Sequence, residues 1–155
     1  MTPQELVKAF TKAVEDRNGT AMAALFTENG VYHDVFYGSF EGRKRVKELI
    51  EDWFYRDAHD FRWDMLDPVS DGHNLYARYL FSYISKLPQA QGKRVMFEGV
   101  GVMRLEGGLI AEYKEIANTG PALLDSGFQP DRVAKILKRQ GEALLARPES
   151  ARHRA

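Results

Sequence analysis

Cysteine is absent from the sequence, which excludes disulfides and thiolate nucleophiles. Histidine is scarce. The four are His33, His59, His73 and His153, with no two at metal-ligand spacing, so neither a metal site nor a metal cofactor is expected. No stretch approaches the roughly 20 apolar residues that cross a bilayer. Met1 to Gln4 run straight into an amphipathic pattern without the apolar segment of a signal peptide, so a cytoplasmic protein with no membrane partner is expected. A surplus of one charge is missing as well. The 22 Lys and Arg balance 22 Asp and Glu, and nothing global draws the chain to nucleic acid. Residues 131–155 hold seven basic residues against three acidic ones, which reads as a solvated helix face with a basic tail. Phosphate-binding glycine loops are lacking too. Gly99-Val100-Gly101 lies inside a strand pattern and opens no helix, so a dinucleotide cofactor is not expected.

What is present suits one domain. The chain has 155 residues, of which 44% are hydrophobic, enough to bury a core and leave a cavity. Leu6, Phe10, Ala13 and Val14 recur at helical spacing and stop at Asn18-Gly19. Thr20 is a candidate N-cap for a short second helix carrying Met22, Leu25 and Phe26. Val31 to Tyr37 reads as a strand. Val46, Leu49, Ile50, Trp53 and Phe54 mark a third helix. Strands are then predicted over 60–68, 74–87, 94–105 and 109–117, the last two joined by Glu106-Gly107-Gly108. A final helix opens at Pro130 and runs toward Leu145 on Val133, Ile136, Leu137 and Leu144. Three helices followed by a long antiparallel sheet give an α+β domain over 1–146, with a core at about 4–118, a helical extension over 120–146 and a flexible tail over 147–155.

Ala23-Ala24-Leu25-Phe26-Thr27-Glu28-Asn29-Gly30-Val31, followed by Phe40-Glu41-Gly42, and the hairpin Gly101 to Ile110 resemble the SnoaL-like polyketide cyclase, ketosteroid isomerase and limonene-epoxide hydrolase group of the nuclear transport factor 2-like superfamily. The resemblance spans about residues 4–118. It implies a cone-shaped fold, a strongly bent antiparallel sheet wrapped on three N-terminal helices. It specifies function poorly, because this scaffold hosts isomerases, hydrolases, dehydratases and binders. It puts Asp34 at the general base of the isomerases, but Phe10 and Gly101 where those enzymes carry their two oxyanion donors. It puts Glu115 at one acid of the epoxide hydrolases, with Ser82 and Leu80 in place of the second acid and the bridging Arg, unless Arg78 serves in a register two residues away. Neither known mechanism is complete.

Strand parity orders the remaining candidates. With Gly101 and Glu115 facing inward, Phe97, Gly99, Met103 and Tyr113 face inward too, and Leu80, Ser82 and Ile84 are expected to join them. The result is an apolar cavity with few polar groups, suited to a small apolar ligand. Asp34 and Glu115 are the candidate catalytic pair. Against that stand a strand-end Asp that caps a neighbouring amide and a Glu in a cross-strand ion pair. His33 is a third candidate, although adjacent strand residues point opposite ways and a bulge would be needed to bring it in beside Asp34. Phe10, Trp53, Leu80, Ser82, Phe97, Gly101, Met103 and Tyr113 are the candidate ligand-binding residues.

Three functions stay open: a cofactor-free isomerase, cyclase or dehydratase acting on an apolar carbonyl compound, a non-catalytic binder, or a structural subunit whose sheet face docks a partner. A structural subunit would have its cavity filled by side chains such as Phe97 and Met103. Val100, Val102 and Ile116 on the convex face point to a homodimer. The segment from Leu123 to Leu137 is expected over the pocket or along the dimer seam.

Overall fold

The computed structural model describes residues 1–154. Helix α1 (Pro3–Glu15) starts with a capping box: Thr2 Oγ1 accepts from the Glu5 N–H, and Glu5 accepts from the Thr2 N–H. Its buried face carries Leu6, Val7, Phe10, Ala13 and Val14. Helix α2 (Gly19–Ala24) is capped by Asn18, whose Oδ1 accepts from the Ala21 N–H at 2.9 Å. Thr20 therefore lies inside the helix and is not its cap. Phe26 is not helical either, since it opens β1 (Phe26–Asp34), followed by β2 (Gly38–Glu41).

Helix α3 (Arg43–Glu48) does not continue regularly to Phe54. Leu49–Phe54 forms a π-helical turn, and a short helix α4 (Tyr55–Asp57) follows. Strands β3 (Ala58–Ser70), β4 (Asn74–Ser85), β5 (Arg94–Glu106) and β6 (Leu109–Asn118) complete one six-stranded sheet of order β2-β1-β6-β5-β4-β3. All neighbours are antiparallel except β1 and β6, which run parallel. Pro68 sits in edge strand β3, where a missing N–H is tolerated.

Helices α5 (Gly120–Asp125) and α6 (Pro130–Ala146) extend the fold beyond the sheet. Pro148–His153 makes a 3₁₀ turn in which Ser150 is buried and its hydroxyl donates to the Leu144 carbonyl at 2.6 Å. Arg154 donates to the carbonyls of Leu145 and Arg147. These are carbonyls that the end of α6 leaves without helical partners, which is why the chain folds back. No helix among the described residues is long and apolar enough to cross a membrane.

The narrow end of the cone is an aromatic core. The Phe10 ring lies 4.7 Å from Tyr113, 5.4 Å from Trp63 and 5.9 Å from Tyr32, centroid to centroid.

Candidate active site

The cavity measures about 610 Å³, a size suited to a small organic molecule. Sheet residues Tyr32, Asp34, Trp63, Phe81, Phe97 and Glu115 line its inner part. Leu123, Phe128 and Ile136 of the C-terminal segment line it from the other side. That segment is held close by Gly127, whose φ is +85°. A Cβ there would stand 2.4 Å from the Gln89 carbonyl oxygen.

Asp34 and Glu115 come together through one register. Tyr32 is paired with Tyr113 across the parallel β1–β6 strands. Side chains alternate, so the residues two positions on, Asp34 and Glu115, occupy the same inward face on neighbouring strands. Both are half-buried on the cavity wall. Asp34 Oδ2 accepts the N–H groups of Phe36 at 2.9 Å and Tyr37 at 3.0 Å. The capping role and the cavity position thus coexist, with Oδ1 as the open oxygen. Glu115 Oε1 accepts from the Tyr113 hydroxyl at 2.5 Å.

Burial pushes the Asp34 carboxyl up to about 6, against the pull of its two backbone hydrogen bonds. Burial also pushes Glu115 up to about 8, with the nearby Asp34 charge adding to the rise and the Tyr113 hydrogen bond opposing it. Only Glu115 registers its neighbour's charge. It is still neutral where Asp34 titrates, so it does not raise Asp34 in return. The buried hydroxyls of Tyr32 and Tyr79 and the buried Trp63 Nε1 have no hydrogen-bond partner. Tyr79 is near enough to favour the ionised form of Glu115 without reaching hydrogen-bond geometry. Room for its hydroxyl comes from Gly99, where a Cβ would lie 2.8 Å from it.

Most of the other expected site residues sit elsewhere. His33 faces the opposite side of β1, its ring between Ser39 Oγ at 2.7 Å and Glu112 Oε1 at 3.1 Å, because no bulge follows Val31 in the pairing. Leu80 and Ser82 do not reach the cavity. In β4 the odd residues pair with the inward residues of β5, Phe81 with Phe97 and Tyr79 with Gly99, so the even ones face out. A one-residue difference in register exchanges the two faces of a strand. By the same pairing Ile84 faces out, while Ser82 accepts from Arg94 at 3.0 Å. Trp53 packs on Tyr37 and Phe40 outside the cavity, at 5.6 and 5.4 Å. The π turn breaks the 3.6-residue period that would have aimed it inward. Phe10, Gly101, Met103 and Tyr113 do lie on the inner side, but they form the packed floor and do not line the open space. Phe97 does line it, and neither Phe97 nor Met103 fills it.

Several lining residues escape a reading of the sequence. Phe81 and Tyr83 depend on the β4 parity, and Phe36 and Tyr37 lie in a turn that periodicity cannot orient. Asp57 also lines the cavity, but Arg56 engages it and holds its carboxyl below the usual range, and Tyr37 donates to it at 2.8 Å. Arg132, Arg139 and Gln140 of α6 complete the wall. Among the described residues no group of three His, Cys, Asp or Glu is arranged to hold a metal ion.

The SnoaL-like domain profile matches residues 7–113, more than half of the chain. The chain belongs to the SnoaL-like domain family. Solved structures repeat this fold at low identity. A protein with a ketosteroid isomerase-like fold from Catenulispora acidiphila, in complex with trimethylamine, is 19% identical over 84% of this chain and 98% of its own, with a TM-score of 0.73. An epoxide hydrolase of the LEH-like kind from M. tuberculosis is 18% identical over 88% of this chain and 94% of its own, TM-score 0.64. A candidate polyketide cyclase from Pseudomonas putida is 22% identical over 78% and 95%, TM-score 0.62. None of the curated proteins matches the chain. At these identities the likeness extends to the fold and not to the chemistry.

Proposed function

We propose that this SnoaL-like protein is a cofactor-free enzyme of the isomerase, cyclase or dehydratase kind, moving a proton on a small apolar carbonyl compound. The observation that carries the reading is the carboxyl pair Asp34 and Glu115, side by side in an apolar cavity and split by their surroundings into a group near 6 and a group near 8. At neutral pH the first is ionised and the second protonated, which assigns a base and an acid. Asp34 Oδ1 would take a proton from the carbon next to the carbonyl. The electron pair would move onto the carbonyl oxygen, which protonated Glu115 stabilises as a donor. Return of the proton to a different carbon gives an isomer, and departure of a β-hydroxyl as water gives a dehydration. A cytoplasmic location belongs to the same proposal.

Exchange of the α-protons of 2-tetralone in D₂O, followed by NMR, tests it. The expected result is exchange well above buffer, reduced about 10²–10⁴-fold by Asp34→Asn. The substituted side chain keeps an oxygen for the Phe36 and Tyr37 amides, so the variant should fold. Bound tetralone that exchanges no faster than in buffer would refute the proposal.

A further inference from the structure

The charged groups lining the cavity are unevenly distributed. Asp34 and Glu115 sit on the sheet wall, and Asp57 is already engaged by Arg56 and Tyr37. The two cations are Arg132 and Arg139, both on α6 and both exposed at the opening. Seven residues apart, they share one helix face with Ile136 and Ala143, which also line the cavity. Neither arginine forms an ion pair with a carboxylate among the described residues. The Arg132 guanidinium lies 5.1 Å from the Phe128 ring centroid, and Phe128 lines the cavity as well. An apolar chamber thus has two carboxyls on its sheet wall and two guanidinium groups without a carboxylate partner on its α6 wall.

We propose that Arg132 and Arg139 form a carboxylate-binding subsite, and that the substrate is an amphipathic carboxylic acid held with its carboxylate at α6 and its carbonyl-bearing body toward Asp34 and Glu115. Guanidinium groups suit a carboxylate because their N–H donors match its two oxygens. The opposite orientation would drive a carboxylate against ionised Asp34 in an apolar pocket, where like charges repel more strongly than in water. The subsite stands on the cavity alone. Only the choice of reacting end rests on the acid–base reading above.

Two matched probes test it, 2-naphthylacetate and its neutral amide 2-naphthylacetamide, by calorimetry at pH 7.5 and low salt. The acid should bind about tenfold or more tightly than the amide. The preference should fall to near unity in the Arg132→Gln, Arg139→Gln double variant and to an intermediate value in each single variant. These side chains are exposed and unpaired, and the thermal transition of each variant checks that it folds. An acid that binds no better than the amide, a preference that survives the double substitution, or no binding of either probe at millimolar concentration would overturn the subsite. The tetralone exchange reports separately on the two carboxyls. A protein that prefers the acid but exchanges no protons keeps the subsite and loses the acid–base reading, and the reverse result does the opposite.

Discussion

Tyr32 and Tyr113 face each other across the parallel β1–β6 pair, with ring centroids 4.7 Å apart, and this pairing aligns the two carboxyls that follow them. In the proposed function Asp34 acts as base only once ionised, above about 6, and Glu115 as acid only while protonated, below about 8. The rate of tetralone exchange, measured as kcat/KM against pH, should therefore form a bell with its maximum between these values. Glu115→Gln should remove the alkaline limb and leave the acid limb in place. A profile that is flat across the whole range would mean that neither group takes part.

The same shifts make a statement about stability. Glu115 has an ordinary carboxyl pKa of 4.5 when exposed and about 8 in the fold. Between those values the folded chain binds more protons than the unfolded one, so stability is full below the lower value and is lost as pH rises through the upper. Glu115→Gln removes that loss and leaves Tyr113 an oxygen to donate to. Urea denaturation should find the variant more stable than the parent at alkaline pH by about 2–4 kcal/mol, and similar to it at acid pH. Equal stability of the two at both pH values would show that Glu115 is not raised.

Gly127 tests the role of the C-terminal segment. Its φ of +85° is unfavourable for other residues, and a Cβ would meet the Gln89 carbonyl oxygen at 2.4 Å. Gly127→Ala should push the α5–α6 turn away from the β4–β5 loop, weakening 2-naphthylacetate binding several-fold. Hydrogen exchange should rise in residues 120–140 and stay unchanged in the sheet. Unchanged affinity and exchange would mean that this contact does not close the cavity.

The order of helices and strands is legible in the sequence because amphipathic periods and turn residues are local signals. The need of the C-terminal segment to bury Leu123, Phe128 and Ile136 is also legible, but the choice between the pocket and a dimer seam is not, and only the packing puts these residues on the cavity wall. Asp34 and Glu115 can be picked out only through the resemblance to the isomerases and epoxide hydrolases, because strand parity by itself does not say which face is inward. Long-range register is not legible. Leu80 and Phe81 are both apolar, so only the pairing of Phe81 with Phe97 tells which one enters the cavity. Trp53 is misplaced by its spacing because a π turn has no sequence period to read. Arg132 and Arg139 read as part of a solvated face, and only the packing of α6 puts them on the cavity wall.

The outer sheet face carries a second expectation. Val69, Tyr76 and Val102 form one cross-strand row, and Leu66, Arg78, Val100 and Ile116 form the next. Val69 and Ile116 are 64% and 70% exposed. We propose that a second copy of the chain covers this face. Sedimentation equilibrium at micromolar concentration should give a dimer, and Ile116→Lys should shift it toward monomer. A wild-type monomer under those conditions would contradict the pairing.

In the proposed function the cavity holds an ionised Asp34 beside a protonated Glu115 at neutral pH. Carbon-13 NMR titration of labelled Asp and Glu side-chain carboxyls measures this directly, with Asp34→Asn and Glu115→Gln assigning the signals. One Asp should titrate near 6 and one Glu near 8, and the Glu115 midpoint should fall when Asp34 is neutralised by substitution. Both carboxyls titrating below about 5, in the ordinary range for exposed side chains, would contradict it.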